Sequence, residues 1–208
     1  MPHEARLKLV PPPPRFDAPA EPASSETLAT LGDDDLMTLS AAGARGAFRE
    51  LVHRYQTKVL GICVRSATSA EEGREIAQEV FVALWQAAPR YRSSGSLPAF
   101  LFTIVRNQLR SSARRRATAV TGTKVLSQVA PEPGAAALEQ MLAAENERRL
   151  RAALAELDEV HRRAILLRFS GELPYEEIAG ICNAPEGTVR SWVHHGLRKL
   201  RVLLGDPS

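Results

Sequence analysis

The sequence predicts an all-α protein made of two small helical domains joined by a flexible linker. Three observations predict it. After residue 31, apolar residues recur at three- and four-residue steps, the spacing of an amphipathic helix. No segment alternates apolar and polar residues long enough for a strand. The periodicity lapses over "ATAVTGTKVLSQVAPEPGAA", where Pro131, Pro133 and Gly134 break regular structure and mark an interdomain linker.

Seven of the 14 prolines fall within the first 22 residues, four of them consecutive, so residues 1–31 read as a disordered, Pro-rich tail. Order is expected from "GDDDLMTL", where Asp33 or Asp34 would cap a helix carrying Leu36, Met37 and Leu39. A second helix, over residues 45–65, aligns Phe48, Leu51, Val52, Tyr55, Val59 and Ile62. Ser69 and Glu72 then have the spacing of a capping box. The helix they open carries Ile76, Val80, Phe81 and Leu84 and stops before Pro89. "RYRSSGS" is a polar loop, and Ser96 with Pro98 starts another helix bearing Phe100, Leu101, Ile104, Val105 and Leu109. These elements form a first domain, 32–117, and the linker follows at 118–135. The second domain, 136–204, opens with helical patterning to Leu154. Asp158 is positioned to cap the next helix, and Gly171 to end it.

The chain then reads "PYEEIAGICNAPEGTVRSWVHHGLRKLR". Glu176 and Glu177 sit where a helix dipole favours acids. Asn183 tolerates the left-handed conformation of a sharp turn, and Pro185 suits the first turn of a following helix. On that helix Val189, Val193, Leu197 and Leu200 form an apolar stripe. Arg190, Ser191, His194, His195, Arg198 and Arg201 project away from it. This is a helix-turn-helix with one bracing helix and one donor-rich helix, and its physical fit is to the DNA major groove. The amides near Gly187 and Thr188 can hold a phosphate, and Arg198, Lys199 and Arg201 can add salt-dependent backbone contacts.

The net charge is only +3, but residues 80–130 contain no Asp or Glu and eight Arg or Lys. A field of one sign over that length points to an anionic partner, either nucleic acid or a membrane surface. Cys63 and Cys182 lie far apart among apolar neighbours, as free thiols in a reducing cytoplasm would. No stretch approaches the roughly 20 apolar residues of a membrane span, and the N-terminus lacks the apolar core of a secretory leader. A cytoplasmic protein is expected. No nucleotide-binding glycine pattern, metal-ligand cluster or nucleophile–base arrangement is present, so neither enzyme activity nor a cofactor is expected.

"GELPYEEIAGICNAPEGTVRSWVHHGLRKLR" resembles the C-terminal promoter-reading domain, region 4, of ECF-type (extracytoplasmic-function, group IV) sigma factors of bacterial RNA polymerase. "AELDEVHRRAILLRFSGELPYEEIA" resembles the helix pair before that motif. Independently, "EIAQEVFVALWQ" resembles the family's core-polymerase-binding helix. "GSLPAFLFTIVRNQLRSSARRR" resembles the helix that helps open the upstream promoter element. The resemblance spans about residues 34–204.

It implies a region 2-like bundle that binds core polymerase and recognises and melts the −10 element. It also implies a region 4-like helix-turn-helix that reads the −35 element. Glu75, Gln78, Glu79 and Phe81 match the polymerase-binding helix. The loop with Arg90, Arg92, Ser93, Ser94 and Ser96 matches the loop that receives a base flipped from the non-template strand, a step that needs a fitted pocket to offset lost stacking. Asn107 matches a position near that pocket, and Trp85 either lines it or belongs to the core. Arg106, Arg110 and Arg114 recur every fourth residue, a stripe suited to a single-strand backbone. Gly187, Thr188, Arg190, Ser191, His194, His195 and Arg198 fall on the promoter-reading face. The implied partners are the beta-prime clamp and beta flap of core polymerase, promoter DNA and an anti-sigma factor, under a stress or envelope signal.

Some positions depart from the family pattern. Pro174 replaces a usual Ser, Phe100 a common Trp and Asp158 a common Pro. Trp192, His194 and His195 make the recognition helix less basic. A stand-alone helix-turn-helix regulator would explain the second domain but not the acid-free stretch or the polymerase-like helix. A sigma-like mimic that sequesters an inhibitor would not need two basic DNA-facing surfaces.

Overall fold

The structure is a computed structural model that describes residues 25–92, 96–118 and 135–205. Among these residues the regular structure is entirely helical. Order begins earlier than expected. Helix α1, Ser25–Thr30, lies within the segment assigned to the tail. Its Leu28 is buried, and Arg54 donates to the carbonyls of Ala29 at 2.9 Å and Leu31 at 3.0 Å. The reason is local: the prolines stop at Pro22, and "SSETLAT" contains no helix breaker.

Helix α2, Asp33–Ala41, starts after Gly32, and neither expected aspartate supplies a cap bond. Both are taken by distant partners. Asp33 accepts from Arg54 at 2.7 Å and from the Tyr55 hydroxyl, and Asp34 accepts from the Tyr91 hydroxyl at 2.5 Å. Burial and these carboxylates push both phenols upward in pKa. The acids still lie in the first turn, where the helix dipole favours them.

Helix α3, Arg45–Ser66, is the spine of the first domain, and α4, Ala70–Ala87, packs on it. The approach is close at Gly73, where a Cβ would stand 2.5 Å from Val64 Cα. Ser69 accepts from the Glu72 amide at 3.1 Å, as half of a capping box does. The returning half closes one residue early, because the Glu72 carboxylate accepts from the Thr68 amide at 3.0 Å and the Thr68 hydroxyl at 2.6 Å. It also accepts from Ser112 at 2.6 Å and from Arg116. A 3₁₀ turn, Ala88–Arg90, leads toward α5, Leu97–Thr118. Leu51, Val59, Ile76, Val80, Leu84, Leu101, Phe102 and Val105 form the shared core. Cys63 is buried there, and burial pushes its thiol up to about 12.

The second domain comprises α6 (Ala135–Ala155), α7 (Glu159–Ile165), α8 (Tyr175–Cys182) and α9 (Glu186–Leu204). Asp158 occupies the cap position of α7 but makes no side-chain cap bond; its carboxylate lies 3.4 Å from His161 Nδ1. Helix α7 does not run regularly to Gly171 but widens into a π-helical turn, Leu166–Ser170. Gly171 closes that turn, and a Cβ there would meet the Leu167 carbonyl at 2.6 Å. The left-handed residue is its neighbour Glu172, at φ 58°. Asn183 adopts φ 52°, ψ 52°, the sharp turn expected between α8 and α9.

The two helical units pack against each other. Helix α5 lies on α8, and α3 lies on α6 and the π-helical turn. Ser96 donates to Glu177 at 2.9 Å, and Arg106 donates to the Ile181 carbonyl. Arg65 reaches Glu147 at 3.0 Å and Ser170 at 3.2 Å, and Lys58 pairs with Glu172 at 2.8 Å. Most of the expected linker lies outside the described residues.

Candidate nucleic-acid interface

From Gly187 to Leu200, helix α9 sorts its buried and exposed residues by chemistry; beyond it Val202 and Leu203 are exposed. Val189, Val193, Gly196 and Leu200 are buried, while Gly187, Thr188, Arg190, Ser191, His194, His195 and Arg198 are exposed. The buried stripe sits on α7, and the contact is tight at Gly196, where a Cβ would stand 2.6 Å from Ile165 Cδ1. The outward face is thereby fixed in direction by the inward one. Lys199 is held elsewhere, donating to the Glu156 carbonyl at 2.7 Å. The rings of His194 and His195 meet edge to face, 5.7 Å between centroids.

Arg190 is oriented by two neighbours. Glu186 accepts from its Nε at 3.1 Å, and its guanidinium lies over the Tyr175 ring at 4.7 Å. The Arg168 guanidinium lies over the same ring at 5.0 Å. Sequence reading passed over Tyr175. Its signal was weak: one aromatic residue at the first position of α8, with all of that helix and the turn between it and α9.

The first domain carries the remaining expected residues. Glu75 and Gln78 are exposed on α4, Glu79 pairs with Arg115 at 3.0 Å, and Phe81 is half-buried against the core. Arg90 and Arg92 are exposed beside the loop whose Ser93 and Ser94 lie outside the described residues. Trp85 packs edge-on against Phe48 at 4.9 Å, in the contact between α3 and α4. Asn107 is exposed, with its Oδ1 3.4 Å from Arg106. The Arg106, Arg110 and Arg114 stripe is continuous along α5, but it does not face open solvent alone. It forms one wall of a cleft whose other wall is α7. Arg106 and Ser96 both contact α8.

Comparison with known proteins places this geometry. Residues 51–118 match the family model of Sigma-70 region 2, and residues 147–200 match that of Sigma-70, region 4. The RNA polymerase sigma-H factor of Pseudomonas aeruginosa is 31% identical over 167 residues, covering 76% of this chain and 86% of that protein. The ECF RNA polymerase sigma factor RpoE of Cereibacter sphaeroides is 31% identical over 156 residues, covering 74% of this chain and 84% of that protein. The chain belongs to the ECF sigma factors of RNA polymerase. It is therefore a non-enzymatic transcription initiation factor.

Solved structures share the sigma factor's fold. CnrH in complex with the cytosolic domain of CnrY superposes with a TM-score of 0.65 at 21% identity, covering 85% of this chain and 99% of that one. The sigma factor RpoE in complex with the anti-sigma factor NepR from Bartonella quintana gives 0.62 at 23% identity, covering 77% of this chain and 98% of that one. Among the described residues no group of three metal-ligating side chains forms, and no helix is long and apolar enough to cross a membrane.

Proposed function

We propose that this sigma factor works in the cytoplasm through two domains, residues 32–117 and 136–204. The first binds the beta-prime clamp of core polymerase through the α4 face of Glu75, Gln78, Glu79 and Phe81. The same domain reads and melts the −10 element with the loop around Arg90–Ser96, Asn107 and the α5 arginines. The second reads the −35 element with the outward face of α9 and meets the beta flap. One observation carries the reading: every polar residue assigned to promoter contact on α9 is exposed, and every apolar residue of its stripe except the half-buried Leu197 is buried. The RpoE structure bound to the anti-sigma factor NepR supports an anti-sigma partner here, acting under a stress or envelope signal.

Promoter engagement requires the two domains to part. The −35 and −10 elements lie about 25 base pairs apart, roughly 85 Å at about 3.4 Å per pair. Ser96 of the −10 loop and Glu177 of the helix-turn-helix are 2.9 Å apart. The test is transcription by the purified chain with core polymerase on a promoter library. Specific transcripts sharing two spaced elements are expected. Binding to one duplex site with no polymerase-dependent transcript would instead identify a stand-alone regulator.

A further inference from the structure

The cleft between α5 and α7 has a volume of about 280 Å³, and six guanidinium groups line it. They belong to Arg106, Arg110, Arg114 and Arg116 on α5, and to Arg162 and Arg163 on α7. The lining includes a single carboxylate, Glu159. That acid pairs with Arg163, and Arg116 pairs with Glu72. The other four have no carboxylate partner among the described residues. Arg106 donates to the Ile181 carbonyl and keeps a buried Nε with no acceptor. Arg162 reaches only the Ala155 carbonyl, at 3.5 Å. Beneath them lie Phe102, Val105, Leu166 and Leu167, apolar and buried.

We propose that this cleft is a binding site for a compact polyphosphate, a di- or triphosphate group that is free or carried by a nucleoside. It would bridge α5 and α7 and hold the two domains together. Charges of one sign in a cleft with low-dielectric walls focus the field on whatever anion enters. The guanidinium fork matches phosphate oxygens two at a time, so several arginines at close quarters select a multiply charged, oxygen-rich ligand over a monovalent ion. Nucleic acid following the α5 stripe would leave Arg162 and Arg163 unused, whereas a compact ligand engages both walls. Both walls exist only while the domains are closed. A ligand bound there opposes the separation that promoter binding requires, by mass action.

The test uses the full chain without polymerase, titrated calorimetrically with inorganic triphosphate and, separately, with ATP. One-to-one binding of triphosphate is expected. Arg114→Gln on α5 and Arg162→Gln on α7 should each weaken it about tenfold, the loss of one charge-assisted contact pair. Arg148→Gln, on exposed α6 surface outside the cleft, should leave it unchanged. A fluorescence pair placed on the two domains should report a shorter mean distance with triphosphate present. ATP binding at least as tightly as triphosphate assigns the site to nucleotides; weaker ATP binding assigns it to free polyphosphate. Absence of binding at millimolar triphosphate overturns the proposal. So does sensitivity to Arg114→Gln without sensitivity to Arg162→Gln, which marks nucleic-acid backbone contact along α5 alone.

Discussion

Replacing Glu72 by Gln removes one negative charge where α4 begins and α5 ends. The carboxylate is largely enclosed, its side chain 18% exposed, and it accepts from Thr68, Ser112 and Arg116. Gln keeps the shape and one acceptor oxygen but turns an NH₂ toward donors. Hydrogen bonds to charged groups contribute about 1.5–3 kcal/mol each and are not additive, so a loss of about 2 kcal/mol at neutral pH is expected. Burial alone would raise the Glu72 carboxyl; the bonds from Ser112, Thr68 and Arg116 outweigh it and hold the group at about 2. A folded-state value below the unfolded one means the stabilisation is complete above the unfolded range, near about 4.3. It is then lost as pH falls toward about 2. Urea unfolding of wild type and Glu72→Gln should therefore show a gap at pH 7 that narrows across that acidic window. A gap under about 0.5 kcal/mol at pH 7, the ordinary scatter of surface substitutions, would refute the reasoning. So would a gap of constant size down to the acid limit.

Other expected outcomes follow from single contacts. Tyr175→Leu should weaken duplex binding at the −35 element by about 0.5–1 kcal/mol in fluorescence anisotropy, the size of an exposed cation–π contact. The same loss in an Arg190→Ala background would show that the ring does not act through Arg190. Gly73→Ala should destabilise by about 2–3 kcal/mol, because backbone atoms of Val64 block the added methyl. Gly196→Ala should cost about 1 kcal/mol or less, because the tip of Ile165 can rotate and alanine favours the helix; the reverse order in thermal melts contradicts both readings. Removing residues 1–24 should leave the melting curve unchanged. Removing 1–31 should cost about 2 kcal/mol or more, with the burial of Leu28 and the carbonyl acceptors of Arg54 gone.

The helices that bury a stripe were legible because 3.6-residue periodicity is a property of consecutive residues. Helices α3, α4, α5 and α9 announce themselves this way, and so does the left-handed turn at Asn183, which depends on one side chain. The caps were less legible. Asp33, Asp34 and Asp158 all stand at helix starts, yet Arg54, Tyr55, Tyr91 and His161 claim their carboxylates. For Asp33 and Asp34 the competitor of the local amide is a tertiary partner, which leaves no mark on local sequence; for Asp158 it is His161, one turn along the same helix. Helix α1 was masked by the proline density before it. The outward face of α9 could be drawn on a helical wheel, but the support of Arg190 by Tyr175 needed the fold. The same is true of the α5 arginines: their four-residue spacing is in the sequence, while their apposition to α7 joins positions some 50 residues apart.

The polar bridges between the domains carry their own weakness. Among the described residues, buried side-chain atoms without a partner include Arg65 Nε, Arg106 Nε and Glu177 Oε2. All three belong to side chains that make the bridging bonds. Each orphaned polar atom costs about 1–3 kcal/mol, comparable to the gain from the bond its own side chain makes. The polar bridges by themselves are thus close to balanced, and the closed arrangement is held mainly by the apolar residues between the domains, Phe102 and Val105 on α5 against Leu166 and Leu167. Parting the domains along a promoter therefore costs chiefly the wetting of that apolar surface rather than the breaking of the bridges, and it is this hydrophobic term that the contacts to polymerase and DNA have to exceed.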